Sequence, residues 1–161
     1  MELSRKTENF LNRVSLRAVD CEPSTGSTRP GELTAGEFAG MLALLPNERE
    51  RLVLLLLAGM GDQFVYRGLV SELVDSVDRF DWGRLIHSAD ESQAIKLNMA
   101  AFLAVQELTG QNRMNASQKA NAIGVSNQCF YKTWRNRIDD FNRLLMQWAH
   151  DADAQVCRVL K

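Results

Sequence analysis

No motif that would cradle a phosphate, hold a metal or sharpen a nucleophile occurs in this chain. There is no Gly-rich phosphate loop, no Gly-x-Ser-x-Gly elbow and no His-Glu-x-x-His pattern. His87 and His150 are the only histidines, and His87, beside Ser88 and without nearby ligand spacing, is read as structural. Cys21, Cys129 and Cys157 are few, odd in number and far apart, which argues against a disulfide framework and for reduced thiols. No CxxC pair exists to start a zinc site, and neither Cys129 nor Cys157 has an evident His partner. The paired carboxylates Asp139-Asp140 and Asp151 with Asp153 are expected on the solvated side of a helix rather than in a cleft. Neither an enzyme nor a cofactor is expected.

A charge surplus is also missing. The net charge is −1 over 161 residues, so no global polyelectrolyte character points to a partner. Long apolar runs are absent too: LVLLLLAGM, residues 52–60, is about half of the ~20 residues a membrane span needs, and NERER precedes it directly. It reads as a buried helix, and no membrane association is expected. The opening MELSRKTENF has acids and no apolar core, so it is not read as a signal peptide. With 45% hydrophobic residues the chain can bury one sizeable core in a reducing cytoplasm.

Period-two alternation is not sustained anywhere, whereas apolar residues recur at three- and four-residue steps, so the fold class expected is all-α with about seven helices. Residues 1–21 form an N-terminal helix or arm in which Leu3, Phe10, Leu11, Val14 and Val19 lie among Arg5, Lys6, Arg13 and Arg17. Residues 22–32 are a linker: EPSTGSTRPG cannot continue a helix. A helical core follows over 33–110. Thr34 and Glu37 have capping-box spacing ahead of Phe38, Met41, Leu42 and Leu45, and Pro46 stops that helix. The apolar run comes next, closed by Gly59 and Gly61. Phe64, Val65, Leu69, Val70, Leu73, Val74 and Val77 then supply one face, with Glu72, Asp75 and Asp78 solvated. Trp82 and Leu85 serve as anchors. Ser88 or Asp90 caps a long helix whose apolar positions are Ile95, Met99, Phe102, Leu103, Val105 and Leu108, ended by Thr109 and Gly110.

Residues 111–161 carry the informative stretch, SQKANAIGVSNQCFYKTW over 117–134, which has the spacing of a helix-turn-helix followed by a long terminal helix. Asn115 or Ser117 caps a short first helix, Gly124 turns the chain at positive φ, Val125 tucks into the angle, and Ser126 caps the second helix. From there Phe130, Trp134, Ile138, Phe141, Leu145 and Trp148 make one apolar face. Asn127, Gln128, Tyr131, Lys132 and Arg135 lie away from it, in the opening turns, where a recognition helix reaches base edges. Asn and Gln pair with adenine, Lys and Arg with guanine.

Between Gln111 and Arg137 the chain has Arg113, Lys119, Lys132, Arg135 and Arg137 and no acid; these five positive charges leave −6 for the remainder. A nearly neutral protein has thus gathered cations at one place, as phosphate contact requires. The DNA-binding residues expected are therefore Arg113, Lys119, Ser126, Asn127, Gln128, Tyr131, Lys132, Arg135 and Arg137, and the partner expected is double-stranded DNA.

Two resemblances attach to these residues. GVSNQCFYKTW resembles the helix-turn-helix of TetR-type repressors, which carry it near the N-terminus; a repressor of that kind would hold a small ligand in a pocket of the 34–108 core. NRMNASQKA, the helix bearing Trp134 and the closing IDDFNRLLMQWAHDADAQVCRVLK resemble the C-terminal segment of the lambdoid phage Q antitermination proteins, and KLNMAAFLAVQELTG is similar to the helix before it. That second resemblance implies a factor that binds DNA at a phage late promoter, with a homo-oligomer on the DNA as a further partner state. It would engage host RNA polymerase with its sigma factor during a pause and carry polymerase through terminators, in the cytoplasm of a bacterial host. Several members of that family have a cysteine-rich zinc-binding insertion ahead of the Arg-Met-x-Ala-Ser stretch. Here Gly110 and Gln111 run straight into Asn112, Arg113 and Met114, so no zinc is expected.

Overall fold

In the computed structural model, residues 35–80, 82, 91–111 and 113–159 are described, and every regular element among them is helical. The order is α1 (Ala35–Ala43), α2 (Glu48–Leu57), α3 (Gln63–Asp75), a 3-10 turn (Val77–Arg79), α4 (Glu91–Leu108), α5 (Ala116–Ile123), α6 (Asn127–Cys129), a π turn (Phe130–Trp134) and α7 (Arg135–Val159). The last three are successive parts of one helical run. The expected arm at 1–21, the linker at 22–32, the Thr34 cap, Leu85, His87 and the Ser88 or Asp90 cap lie outside the described residues. Among the described residues no helix is long and apolar enough to cross a membrane.

The described chain divides into two compact units. One is made of residues up to Val65 together with those from Gln147 onward, and the other spans Tyr66–Met146. This differs from the expected boundary at 110/111, and the reason lies in α7. Its apolar stripe does not end with Trp148 but continues through Ala152 and Val156, so its C-terminal end joins the core of the first helices.

In the first unit Leu45, Leu54, Ala58, Ala152 and Val156 are buried together, with Met41, Leu42, Leu55, Leu57 and Met60 packed against them. The apolar run is a buried helix, as its length suggested. Its charged leader takes part in the packing: Glu50 is buried, accepting from the Asn47 side-chain amide at 2.6 Å, and the Arg49 guanidinium lies 5.6 Å from the Trp148 ring centroid. Gly59, at φ +77°, ends α2, and the Met60 amide reaches back to the Leu55 carbonyl at 2.9 Å.

In the second unit Leu69 and Leu73 of α3 and Leu97, Ala100, Ala101, Leu103, Ala104 and Val105 of α4 are buried. Two residues assigned to apolar faces are not there. Phe64 is 70% exposed, because it shares its line on α3 with Gly68, Ser71 and Glu72 while Val65, Leu69 and Leu73 face inward. Ile95 is 62% exposed, sharing the first turns of α4 with Glu91 and Asn98. Trp82 is an anchor, as expected. It stacks on Phe80 at 4.7 Å, meets the edge of Phe141 at 5.2 Å, and donates its indole N–H to Asp140 at 2.6 Å. Asp140, expected to be solvated, is thus a structural acceptor that also holds Arg143.

Candidate nucleic-acid interface

The local geometry from Asn115 onward follows from its capping chemistry. Asn115 accepts from the Gln118 amide at 3.0 Å and its own amide donates to the Gln118 side chain at 2.9 Å, so α5 opens on a reciprocal capping box. Gly124 follows in the left-handed region at φ 77°, ψ 39°, and the Val125 amide closes back on Ala120 at 3.0 Å. The Ser126 hydroxyl then accepts from the Cys129 amide at 3.2 Å and starts the next helix. Nothing lies within 4 Å of a Cβ placed on Gly124, so Gly124→Ala tests the backbone alone. It is expected to lower stability by roughly 1–2 kcal/mol, read as a shift in the urea midpoint at unchanged m-value.

The helix that follows contains a feature that the residue spacing did not announce. Phe130–Trp134 is a π turn, with the Arg135 amide bonded to the Phe130 carbonyl five residues back. The apolar stripe here steps by four and four, from Phe130 to Trp134 to Ile138, a wider stride than the 3.6 residues of an α-turn. One expanded turn keeps all three side chains inward, and Phe130, Trp134, Ile138, Phe141, Leu145 and Trp148 are all buried.

With that stripe inward, Asn127, Gln128, Lys132 and Arg135 are exposed, and the Tyr131 ring is 56% exposed on the same side. Arg113 is exposed in the segment that leads into α5, and Ser126 is exposed with its oxygen committed to the cap. Asn127, Gln128, Tyr131, Lys132 and Arg135 fall within one side of the helical run by their spacing.

Two of the nine do not behave as expected. Arg137 is only 6% exposed. Its guanidinium lies 4.6 Å from the Trp134 ring centroid and 5.3 Å from that of Trp82, so it works as a cation held by two indoles rather than as a phosphate contact. Burial pushes its pKa below the usual arginine value, against a smaller opposing influence of Cys129. Arginine starts so high that it stays charged at neutral pH all the same. Lys119 is partly buried and ion-paired with Glu107, whose second oxygen accepts from the Asn142 amide at 2.6 Å. The acid-free count was a property of the sequence interval; folding brings Glu107 from α4 onto Lys119 and places Asp139 beside Arg135. Among the nine expected contacts, the exposed cations are Arg113, Lys132 and Arg135.

Beside this face, α4, α5, the π turn and the start of α7 line a cleft of about 380 Å³. Phe130 and Ile138 supply its apolar lining, and Tyr131, Lys119, Glu107, Arg135 and Asp139 its polar one. Nothing in the sequence spacing gave Glu107 a place near the basic residues, whereas Asp139 is one helical turn from Arg135.

Fold and site together define a class: a chain whose described residues are all-helical, which buries an aromatic stripe and turns an amide-rich, cationic helix side outward. Compared with protein-family models, curated proteins and solved structures, the chain matches none of them.

Proposed function

We propose that residues 115–135 act as a helix-turn-helix that reads duplex DNA, with Asn127, Gln128 and Tyr131 toward base edges and Arg113, Lys132 and Arg135 on phosphates. The observation that carries this reading is that the core uses Phe130, Trp134 and Ile138 and leaves Asn127, Gln128, Lys132 and Arg135 exposed. A merely structural helical hairpin has no need of two adjacent exposed carboxamides flanked by cations, whereas carboxamides recognise adenine bidentately and cations supply the salt-dependent term. Arg137 and Lys119 drop out of the contact set, which makes the electrostatic contribution smaller than five charges would give.

On the resemblance of the C-terminal segment to the lambdoid phage Q proteins, the activity proposed is transcription antitermination: binding at a late promoter, engagement of host RNA polymerase and its sigma factor, and passage through terminators. The test has two stages. A binding site is first selected from randomised duplexes, and the protein is then added to transcription from a template carrying that site upstream of a terminator. Read-through is expected to rise, and to stay at background with Asn127→Ala/Gln128→Ala. Selective binding without a rise in read-through would leave a DNA-binding regulator of the repressor kind; the absence of any selected sequence would overturn the duplex reading itself.

A further inference from the structure

The cleft at the edge of the cationic face holds two cations and two acids, so it is not a seat for a bare phosphate. Its four charged groups are not equivalent. Both oxygens of Glu107 are engaged, by Lys119 and by Asn142, and Lys119 is engaged by the same carboxylate. Arg135 and Asp139 remain. They stand one helical turn apart on α7, both on the cleft wall, and among the described residues neither is in an ion pair. What is left open is therefore a donor fork, an acceptor-only carboxylate ~6 Å along the helix from it, and the exposed Tyr131 ring, over a floor closed by buried Phe130 and Ile138. The Tyr131 ring also lines the cleft, set on edge against buried Phe130 at 5.8 Å and 80°.

We infer that this cleft binds an unpaired guanine base. Guanine is flat, uncharged and amphipathic, which suits a lining whose charges cancel. On one side its N1–H and exocyclic N2–H₂ form a pair of parallel donors that only an acceptor such as the Asp139 carboxylate satisfies. Along the adjoining edge O6 and N7 are both acceptors, the pattern a guanidinium such as Arg135 recognises. The base face lies against the exposed Tyr131 ring, a contact that contributes to affinity whatever the base is. Adenine presents a donor where guanine has O6, and it has no N1–H; cytosine and thymine lack one or other edge. The carboxylate therefore sets the selectivity, and the ring supplies the general attraction. The guanine can belong to a single strand or to a free nucleotide. This site shares Tyr131 and Arg135 with the proposed duplex contacts and adds Asp139, which takes no part in duplex recognition by Asn127 and Gln128.

The test uses the full chain, titrated with GMP, IMP and AMP and with short single strands carrying one central guanine, inosine or adenine in an otherwise identical sequence, followed by tyrosine and amide chemical shifts. GMP and the guanine strand are expected to bind about tenfold more tightly than the inosine forms, which lack the N2 amino group, and more tightly still than the adenine forms. Binding of the strand alone, without GMP, makes single-stranded nucleic acid the source; binding of both shows that the base suffices. Asp139→Asn, an exposed change that leaves the core intact, is expected to abolish the guanine preference while retaining duplex binding. Equal affinity for the three bases, no binding of any, or a preference that survives Asp139→Asn overturns the proposal. A protein that selects guanine yet ignores duplexes would sink only the helix-turn-helix reading.

Discussion

Phe141→Ala is expected to lower the unfolding free energy by about 3–5 kcal/mol, measured by urea titration of tryptophan fluorescence and far-ultraviolet circular dichroism. Phe141 is fully buried, and the rings of Phe80 and Trp82 meet it edge-on at 5.9 and 5.2 Å. Truncation removes a large transfer term and leaves a cavity that two stiff aromatic rings cannot collapse to fill. It also loosens the seat of Trp82, and with it one of the two indoles that hold Arg137. Domains of this size commonly have 5–15 kcal/mol in hand, so the loss takes a large share of the total. A change below 1 kcal/mol at unchanged m-value would show that Phe141 is not packed as described.

The second large effect separates the cations. Lys132→Ala and Arg135→Ala are each expected to weaken binding to a selected duplex roughly tenfold near 0.1 M salt, and to flatten the slope of log K against log salt by about one. Arg137→Met keeps an unbranched apolar side chain against the two indoles and removes the charge. It is expected to cost stability through the lost cation–π contacts but to leave the salt slope as it was, because a guanidinium 6% exposed between Trp134 and Trp82 does not release counter-ions on meeting a phosphate. Fluorescence anisotropy over a salt series reads all three. A slope that falls for Arg137→Met as much as for Lys132→Ala would contradict the buried placement of Arg137.

Much of the fold was legible because it is local. The Asn115 cap, the Gly124 turn and the Ser126 cap are written within four residues of where they act, and the stripe from Phe130 to Trp148 announces its own face. What escaped was settled by residues distant in sequence. Asp140 is a solvated carboxylate until Trp82, 58 positions away, brings an indole N–H to it. Arg137 looks like one more surface cation until two indoles close on it, and Lys119 looks unpaired until α4 delivers Glu107. Periodicity also misplaced Phe64 and Ile95, because an apolar residue near a helix start is counted with the nearest stripe even when its azimuth matches Gly68 and Glu72 or Glu91 and Asn98. The cleft escaped for the same reason as Glu107: its walls come from three separate helical segments.

The expanded turn at Phe130–Trp134 acts as one residue of slack in an otherwise regular rod. Were it tightened to ordinary winding with α7 held fixed, everything ahead of it would swivel by ~100°, carrying Phe130 out of its socket and swinging the two carboxamides round the axis. The compass bearing of Asn127 and Gln128 is thus set by how firmly a phenylalanine three positions beyond Asn127 is sunk. A substitution there would misaim the amides without touching either of them.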